Sequence, residues 1–401
     1  MWRGSRGRRV AERAPLRVAF VNIPRRLWAG GHSYQRNLFA VLDRHQPGAI
    51  VPVLFAGMND AADEIATLAS IPNVEVVRSV AFDHAGRGLL SALALGLDRP
   101  AVAEFRAHRI DLVFESARFF GWRLPLPAIA WFPDFQHKRL PHLFSRASRL
   151  RRDLGFRVQI ASGRRIMLSS VSALQDLRQF YADPANGVSV VRFATEPPLA
   201  LLATNPFDVV AQYDLPARHF YLPNQFWRHK NHRTVIEALA ILKQRDFHAI
   251  VVASGATQDP REPGFFEAAM KQVQARGLDK SFRHLGMIPL EHVYALLRTS
   301  IGLINPSEFE GWSTTVEEAK SFGVPMILSD IDVHREQADG IARYFGTNDS
   351  EALARHMSDV LASAGPVIAR NLQASLEERV RAFATDFVQL AQETVRSVQP
   401  R

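Results

Sequence analysis

The sequence predicts an α/β protein of two doubly wound, Rossmann-like domains. Three observations carry this. Short runs rich in β-branched and aromatic residues alternate with stretches of helical apolar spacing over most of the 401 residues. The alternation occurs twice in succession, with an aperiodic stretch between the two sets. A chain of this length exceeds one ordinary core, and its composition, 47% hydrophobic and 22% charged, is that of a globular protein.

After a basic tail, residues 1–15, the first domain spans 16–200. "LRVAFVNI" (Leu16 to Ile23) reads as its opening strand. A loop carrying Gly30 and Gly31 follows, then a helix from Ser33 with Leu38, Val41 and Leu42 at helical spacing. Further strands are expected at "AIVPVLFA", "VEVVRS", "IDLVFES" and "PAIAWF". "RIMLSSVSALQDLRQFY" turns from strand into a helix capped among its serines. Four prolines and no period between Arg192 and Pro216 mark a linker, set at 201–216. The second domain, 217–380, starts with a strand at His219–Leu222 and a helix at Thr234–Leu242. It continues through "AIVVASG", "FRHLG" and "SIGLINPS" and ends at "VPMILSD". Residues 381–401 are expected to form a helix packing back on the first domain. In such sheets ligands sit beyond the carboxyl ends of the strands, so the loops there are the places to search.

Composition excludes several chemistries. The absence of cysteine removes disulfides, thiolate nucleophiles and cysteine-ligated metals, and fits a reducing compartment. No apolar run approaches the ~18 residues that cross a bilayer, and the N-terminus lacks a signal-peptide pattern. There is no G-x-x-x-x-G-K-[ST] loop and no G-x-G-x-x-G after a strand, which argues against nucleotidases and dehydrogenases. The net charge of +9 is uneven: Arg3, Arg6, Arg8, Arg9 and Arg13 crowd the tail, and Ser145 to Arg165 holds seven arginines against one aspartate. A basic surface attracts nucleic acid, anionic lipid or phosphorylated small molecules alike, but with Phe156 as its only aromatic that segment offers bases little to stack on, and no nucleic-acid partner is expected. The expected location is the cytoplasm, peripheral on the inner face of the plasma membrane.

The stretch "NPSEFEGWSTTVEEAKSFGVP" (Asn305 to Pro325) sits between two buried strands. Thr314 can cap a helix running to Phe322 that stops at Gly323, and Thr314 with Glu317 has capping-box spacing. That gives Glu317 a structural task and leaves Glu310 and Glu318, eight residues apart, for chemistry. First-turn N–H groups from Ser313 to Val316 suit an anion such as phosphate, and Gly311 lets the backbone approach closely. Two carboxylates flanking an anion site can accept hydrogen bonds from sugar hydroxyls; the plain alternative is ordinary surface glutamates at a helix start.

"EGWSTTVEEAKSFGVP" resembles the Glu-x7-Glu segment of family 4 of the retaining nucleotide-sugar glycosyltransferases (glycosyl transferases group 1). "FRHLGMIPLEHVYALLRTSIGLINPSEFEGW" has that family's order of strand, glycine turn, helix and strand ahead of the motif. The resemblance implies the GT-B fold, with two domains facing across a cleft. It implies that Glu310 contacts a donor sugar and Glu318 the nucleotide ribose, with Gly311, Trp312, Ser313, Thr314 and Thr315 lining the donor.

In "NQFWRHKNH" the loop after the second domain's first strand carries Asn224, Gln225, Arg228, His229, Lys230 and His232. Cations and amide donors in a strand–helix loop suit a diphosphate. The family usually has an arginine and, five residues on, a lysine; Lys230 matches the lysine, whereas Gln225 occupies the arginine position. Neutralisation therefore falls on Lys230, helped by Arg228. His229 and His232 lack convincing metal-ligand context, and "DID" (Asp330 to Asp332) is read as coincidence, so no metal is expected. "FPDFQHKRLP" holds Asp134 and His137 beyond a strand, and His137 best matches a family histidine that touches the donor sugar. Asp134 would orient it or bind acceptor. Gly30 and Gly31 resemble the family's first glycine-rich loop, with Trp28 or His32 facing acceptor.

The expectation is a cofactor-free, metal-independent retaining hexosyltransferase. It would move a hexose from a nucleoside-diphosphate sugar to a glycan or lipid-linked acceptor, in bacterial cell-surface polysaccharide or lipopolysaccharide biosynthesis. Glu310, His137 and Lys230 carry the chemistry in that reading. The alternatives are a catalytically silent GT-B binding protein or another sugar-nucleotide enzyme such as an epimerase.

Overall fold

The computed structural model describes residues 14–83, 91–92, 94–116, 118–259, 261–363 and 373–398. The basic tail with Arg3, Arg6, Arg8, Arg9 and Arg13 lies outside them. Two sheets organise the chain. The first has seven strands in the order β3-β2-β1-β4-β5-β6-β7: Leu16–Val21, Ile50–Ala56, Glu75–Arg78, Leu112–Glu115, Ala128–Phe132, Arg165–Leu168 and Val188–Val190, numbered in chain order. The second has six, in the order β10-β9-β8-β11-β12-β13: Phe220–Leu222, Val251–Ala253, Phe282–His284, Gly302–Asn305, Met326–Ser329 and Ala342–Phe345. The pairings of β8 with β9 and β11, and of β1 with β2 and β4, are parallel, so each sheet reverses its strand order beside its first strand. That reversal opens a crevice at the carboxyl ends.

Two strands escaped the sequence reading. β7 is only three residues, all half-buried. β13 pairs with β12 in register from Met326↔Ala342 to Ser329↔Phe345, and its "ARYF" exposes Arg343 at the sheet edge, which hides the apolar signal. The linker stretch also contains regular structure: Pro206–Gln212 is a helix whose Val209 is buried with Leu215, Tyr221 and Leu303.

By packing, the chain divides into two compact units, one up to Ala130 together with the segment from Ala384 on, the other Trp131–Phe383. In the first, Phe55, Phe82, Phe105 and Phe120 fill a core with Val53 and Val113. The terminal helix, Gln373–Val398, contributes Phe387, stacked 6.1 Å from Phe20. In the second, β8, β9 and β11 are buried throughout, as expected where helices cover both faces of a parallel sheet. The helix His232–Gln244 starts two residues earlier than its apolar spacing suggested, because Asn231 takes the left-handed conformation (φ 53°) that turns the chain into it.

A candidate active site in the second unit

β11 ends at Asn305, whose fully buried amide joins three segments. Its Oδ1 accepts from Ser307 Oγ at 2.7 Å and Asn224 Nδ2 at 3.1 Å. Its Nδ2 donates to Ser313 Oγ at 2.9 Å and Thr315 Oγ1 at 3.2 Å. One side chain thus ties the end of β11 to the end of β8 and to the helix Thr314–Phe322, using both amide hydrogens and its acceptor oxygen. Asn224 is spent on this link, and a backbone bond from Glu308 N–H to His229 O at 2.7 Å fastens the same two loops.

Those links bring Lys230 to Glu310. The Nζ lies 2.5 Å from Oε1, both side chains are largely buried, and Ser307 Oγ is 2.7 Å from the same oxygen. Burial disfavours the Glu310 charge, but Lys230, together with His334 and His229, outweighs it and holds the carboxyl at about 2. Glu310 is therefore an ionised hydrogen-bond acceptor at neutral pH. Gly311 is glycine for a packing reason: a Cβ there would sit 2.1 Å from Pro133 O and 3.0 Å from Asp134 Cβ. The Glu310 loop rests directly on the Pro133–Asp134 backbone.

The helix start differs from its expected form. Ser313, not Thr314, is the N-cap, and no side chain caps the helix, so the Thr314–Glu317 capping box does not form. Gln337 replaces it, accepting from Ser313 N–H at 2.9 Å and donating to Ser313 O at 3.1 Å. Glu317 instead pairs with Lys320 at 3.0 Å and with Arg379, and accepts from Gln337. The Ser313 N–H is thus occupied, which leaves the N–H groups of Thr314 to Val316 as the first-turn donors. Glu318 is buried on the same helix. Trp312 anchors the loop by donating from Nε1 to Phe193 O at 2.9 Å.

Sequence reasoning missed Arg261. It chelates the buried Asp259, donates to Gln136 Oε1 at 2.9 Å, approaches His229 Nδ1 at 3.3 Å and lies 5.1 Å over the Trp227 ring. No strand or helix period flags "QDPRE"; only the adjacent opposite charges could have done so. Arg261 connects the Lys230 loop to the short helix Gln136–Arg139, which carries His137. Asp134 accepts from Gln136 N–H at 3.0 Å and faces Arg152 at 3.5 Å, so it organises this segment. His137 is 1% exposed, with Nε2 3.1 Å from Tyr181 Oη, and Tyr181 donates to Asp153 at 2.8 Å. Burial, then Arg152, holds His137 at about 4, neutral at pH 7.

Gln225 is half-buried; Gly255 (φ 144°) passes so close that its Cβ would lie 2.8 Å from Gln225 Cα. Arg228 is exposed and pairs with Glu262 at 3.2 Å. Neither histidine of the loop is left over: His229 faces Arg261, and His232 stacks on Phe226 at 3.9 Å and reaches Asn224 O. Among the described residues no three His, Asp or Glu side chains converge as a metal-binding set.

Gly30 and Gly31 belong to the first unit and correct the loop assignment there. The helix begins at Ala29, so both sit in its first turn. A Cβ on Gly31 would meet the Trp28 ring at 2.3 Å, so packing against Trp28 requires that glycine. His32 is buried against Ile23 O at 3.1 Å.

Residues 218–383 match the family model of glycosyl transferases group 1. No curated protein matches the chain. Among solved structures, a glycosyltransferase from Rickettsia africae aligns with a TM-score of 0.70 at 15% identity, covering 95% of this chain and 99% of that one. HepE from Anabaena, solved with UDP and glucose, aligns at 0.68 and 16%, covering 93% and 98%. WaaG, a glycosyltransferase involved in lipopolysaccharide biosynthesis, aligns at 0.57 and 14%, covering 96% and 100%. These likenesses establish the GT-B fold over nearly the whole chain.

Proposed function

We propose, from the premise that this GT-B chain carries a glycosyl transferases group 1 domain at residues 218–383, that it is a retaining, metal-independent hexosyltransferase. Its donor is a nucleoside-diphosphate sugar and its acceptor a hydroxyl of a glycan or lipid-linked glycan in cell-surface polysaccharide assembly. The observation that carries the reading is the buried Lys230–Glu310 pair, 2.5 Å apart, within the matched region. It offers an ammonium to a diphosphate and an ionised carboxylate to sugar hydroxyls, one residue from a glycine that rests on backbone. Supporting it, HepE holds UDP and glucose in the same fold.

In this reading Lys230, Gln225 and the Thr314–Val316 N–H groups receive the diphosphate, and Glu318 the ribose. Glu310 accepts from the hexose, and neutral His137 hydrogen-bonds it from the other side. Catalysis is electrostatic: fixed donors stabilise charge on the departing diphosphate while the loops exclude water from an oxocarbenium-like sugar. The helix Arg146–Ala161 would hold the enzyme at an anionic membrane surface; it exposes Leu150 and Leu154 among arginines and buries no residue.

The test is release of free nucleoside diphosphate from UDP-, GDP- or dTDP-sugars in the presence of lipid-extract acceptor. Glu310→Gln is expected to lower turnover at least about 100-fold while the protein stays folded. Wild-type turnover by that variant refutes the assignment. Isomerised donor without diphosphate release would favour the epimerase reading.

A further inference from the structure

The chain encodes a capping box, Thr314 with Glu317, that the fold does not use. In such a box the Thr314 hydroxyl accepts from Glu317 N–H, and the Glu317 carboxylate turns back to accept from Thr314 N–H. That carboxylate would fill a first-turn donor and put a negative charge at the helix start, where an anion otherwise binds. The box favours the helix taken alone, so its absence needs an opposing force.

Three side chains of the second unit supply that force by drawing Glu317 the other way. Lys320, three residues on, reaches Oε1 at 3.0 Å. Arg379, on the helix Gln373–Val398, holds Oε2. Gln337 donates to Oε1 at 3.2 Å while its amide brackets the Ser313 peptide. Glu317 is 1% exposed, so two cations and an amide converge on one buried carboxylate. Arg379 meanwhile leaves Nε and Nη2 buried without acceptors. Burying charges in this way is a weak route to stability, because desolvation offsets their attraction. As a restraint on where one carboxylate points, the same arrangement is effective.

We propose that Lys320, Arg379 and Gln337 are positioning residues that keep Glu317 off the start of the helix Thr314–Phe322, leaving the Thr314 N–H open to an anion. Resting on the function proposed above, that anion is the diphosphate of the donor. The three residues act through Glu317 and need not touch the ligand. Without the two cations the carboxylate is buried and short of partners, and Thr314 N–H offers it one. The helix then closes its own anion site.

Lys320→Met/Arg379→Met removes both cations and keeps most of the side-chain length; adding Glu317→Ala removes the carboxylate as well. In calorimetric titration of the full chain, inorganic pyrophosphate should bind about tenfold more weakly to the double variant, and the triple variant should recover to within about threefold of wild type. Hydrogen exchange at the Thr314 amide should slow about tenfold in the double variant and return in the triple. A merely structural role moves these readouts differently: exchange speeds up in the double variant, and losing a third side chain does not restore affinity. Exchange that is unchanged or faster in the double variant overturns the proposal. So does pyrophosphate that binds the double variant as tightly as wild type, or that the triple variant fails to recover. If the double variant does not fold, Arg379→Met alone, with and without Glu317→Ala, carries the same predictions at smaller amplitude. Wild type that binds neither pyrophosphate nor UDP, GDP or dTDP overturns the donor reading; exchange slowed in the double variant and restored in the triple then still upholds the restraint on Glu317.

Discussion

Lys230→Met removes the charged member of the buried pair while keeping most of the length of the side chain. In the native protein Glu310 is 10% exposed and its carboxyl is held at about 2, against an ordinary value near 4.5. Burial opposes that charge; Lys230 is the strongest influence that restores it. The depression corresponds to about 3 kcal/mol of native-state stability at neutral pH. The folded value lies below the unfolded one, so the contribution is complete above about pH 4.5 and is lost as pH falls towards about 2. Without Lys230 the carboxylate is buried and unpaired, a change that typically costs about 3–5 kcal/mol. Urea unfolding of wild type, Lys230→Met, Glu310→Gln and the double variant should therefore show three things. Wild type exceeds Lys230→Met by about 3 kcal/mol at pH 7, and by less than half of that at pH 3. The double variant loses less than the sum of the singles, by about 2 kcal/mol. Additive losses that do not change with pH would refute the argument, since Lys230 would then not be what keeps Glu310 charged.

Gly311→Ala forces a Cβ to 2.1 Å from Pro133 O, a backbone atom, and should cost at least about 1–3 kcal/mol and abolish transfer; an unchanged melting curve contradicts the packing. Arg261→Lys keeps the charge but not the fork that reaches Asp259, Gln136 and His229 together, so kcat/KM should fall about tenfold. Full activity in that variant would mean that only the charge matters. Gln225→Arg adds a cation to the loop proposed to hold the diphosphate and should tighten UDP binding about tenfold at low salt, less at high salt, by fluorescence titration; no change would mean that position 225 does not face the phosphates.

The fold was largely legible because parallel strands covered on both faces must be continuous apolar runs. β8, β9, β11 and β12 all show this, and all were found. What was missed lacks that signal. β13 carries an exposed arginine, and the helix at Pro206–Gln212 hides among prolines. The pairing of Lys230 with Glu310 spans 80 residues, and the resemblance suggested both residues without indicating their contact. Arg261, Asn305 and Gln337 were invisible for a different reason. Each acts through partners far away in sequence, and a lone arginine, asparagine or glutamine carries no spacing to read. The capping box failed similarly: Thr314–Glu317 has the right interval, but a tertiary partner, Gln337, outcompetes the local one at Ser313.

The pairing of charges in the candidate site constrains how a diphosphate could bind. Lys230 faces Glu310, Arg261 faces Asp259, and Arg228 faces Glu262. With Gln225 uncharged, these side chains contribute three cations and three carboxylates, and no net positive charge. Attraction from a distance is then weak, and in the proposed function affinity comes from short-range donors: the remaining ammonium hydrogens of Lys230, the Gln225 amide and the N–H groups at the start of the helix Thr314–Phe322. Such binding should depend only shallowly on salt, because screening acts on long-range charge far more than on buried contacts. The proposed function also requires Glu310 to stay ionised at neutral pH, as its low value provides. If it were protonated, Lys230 would regain a free charge, and a diphosphate would bind more tightly in a site that had lost its acceptor for the sugar.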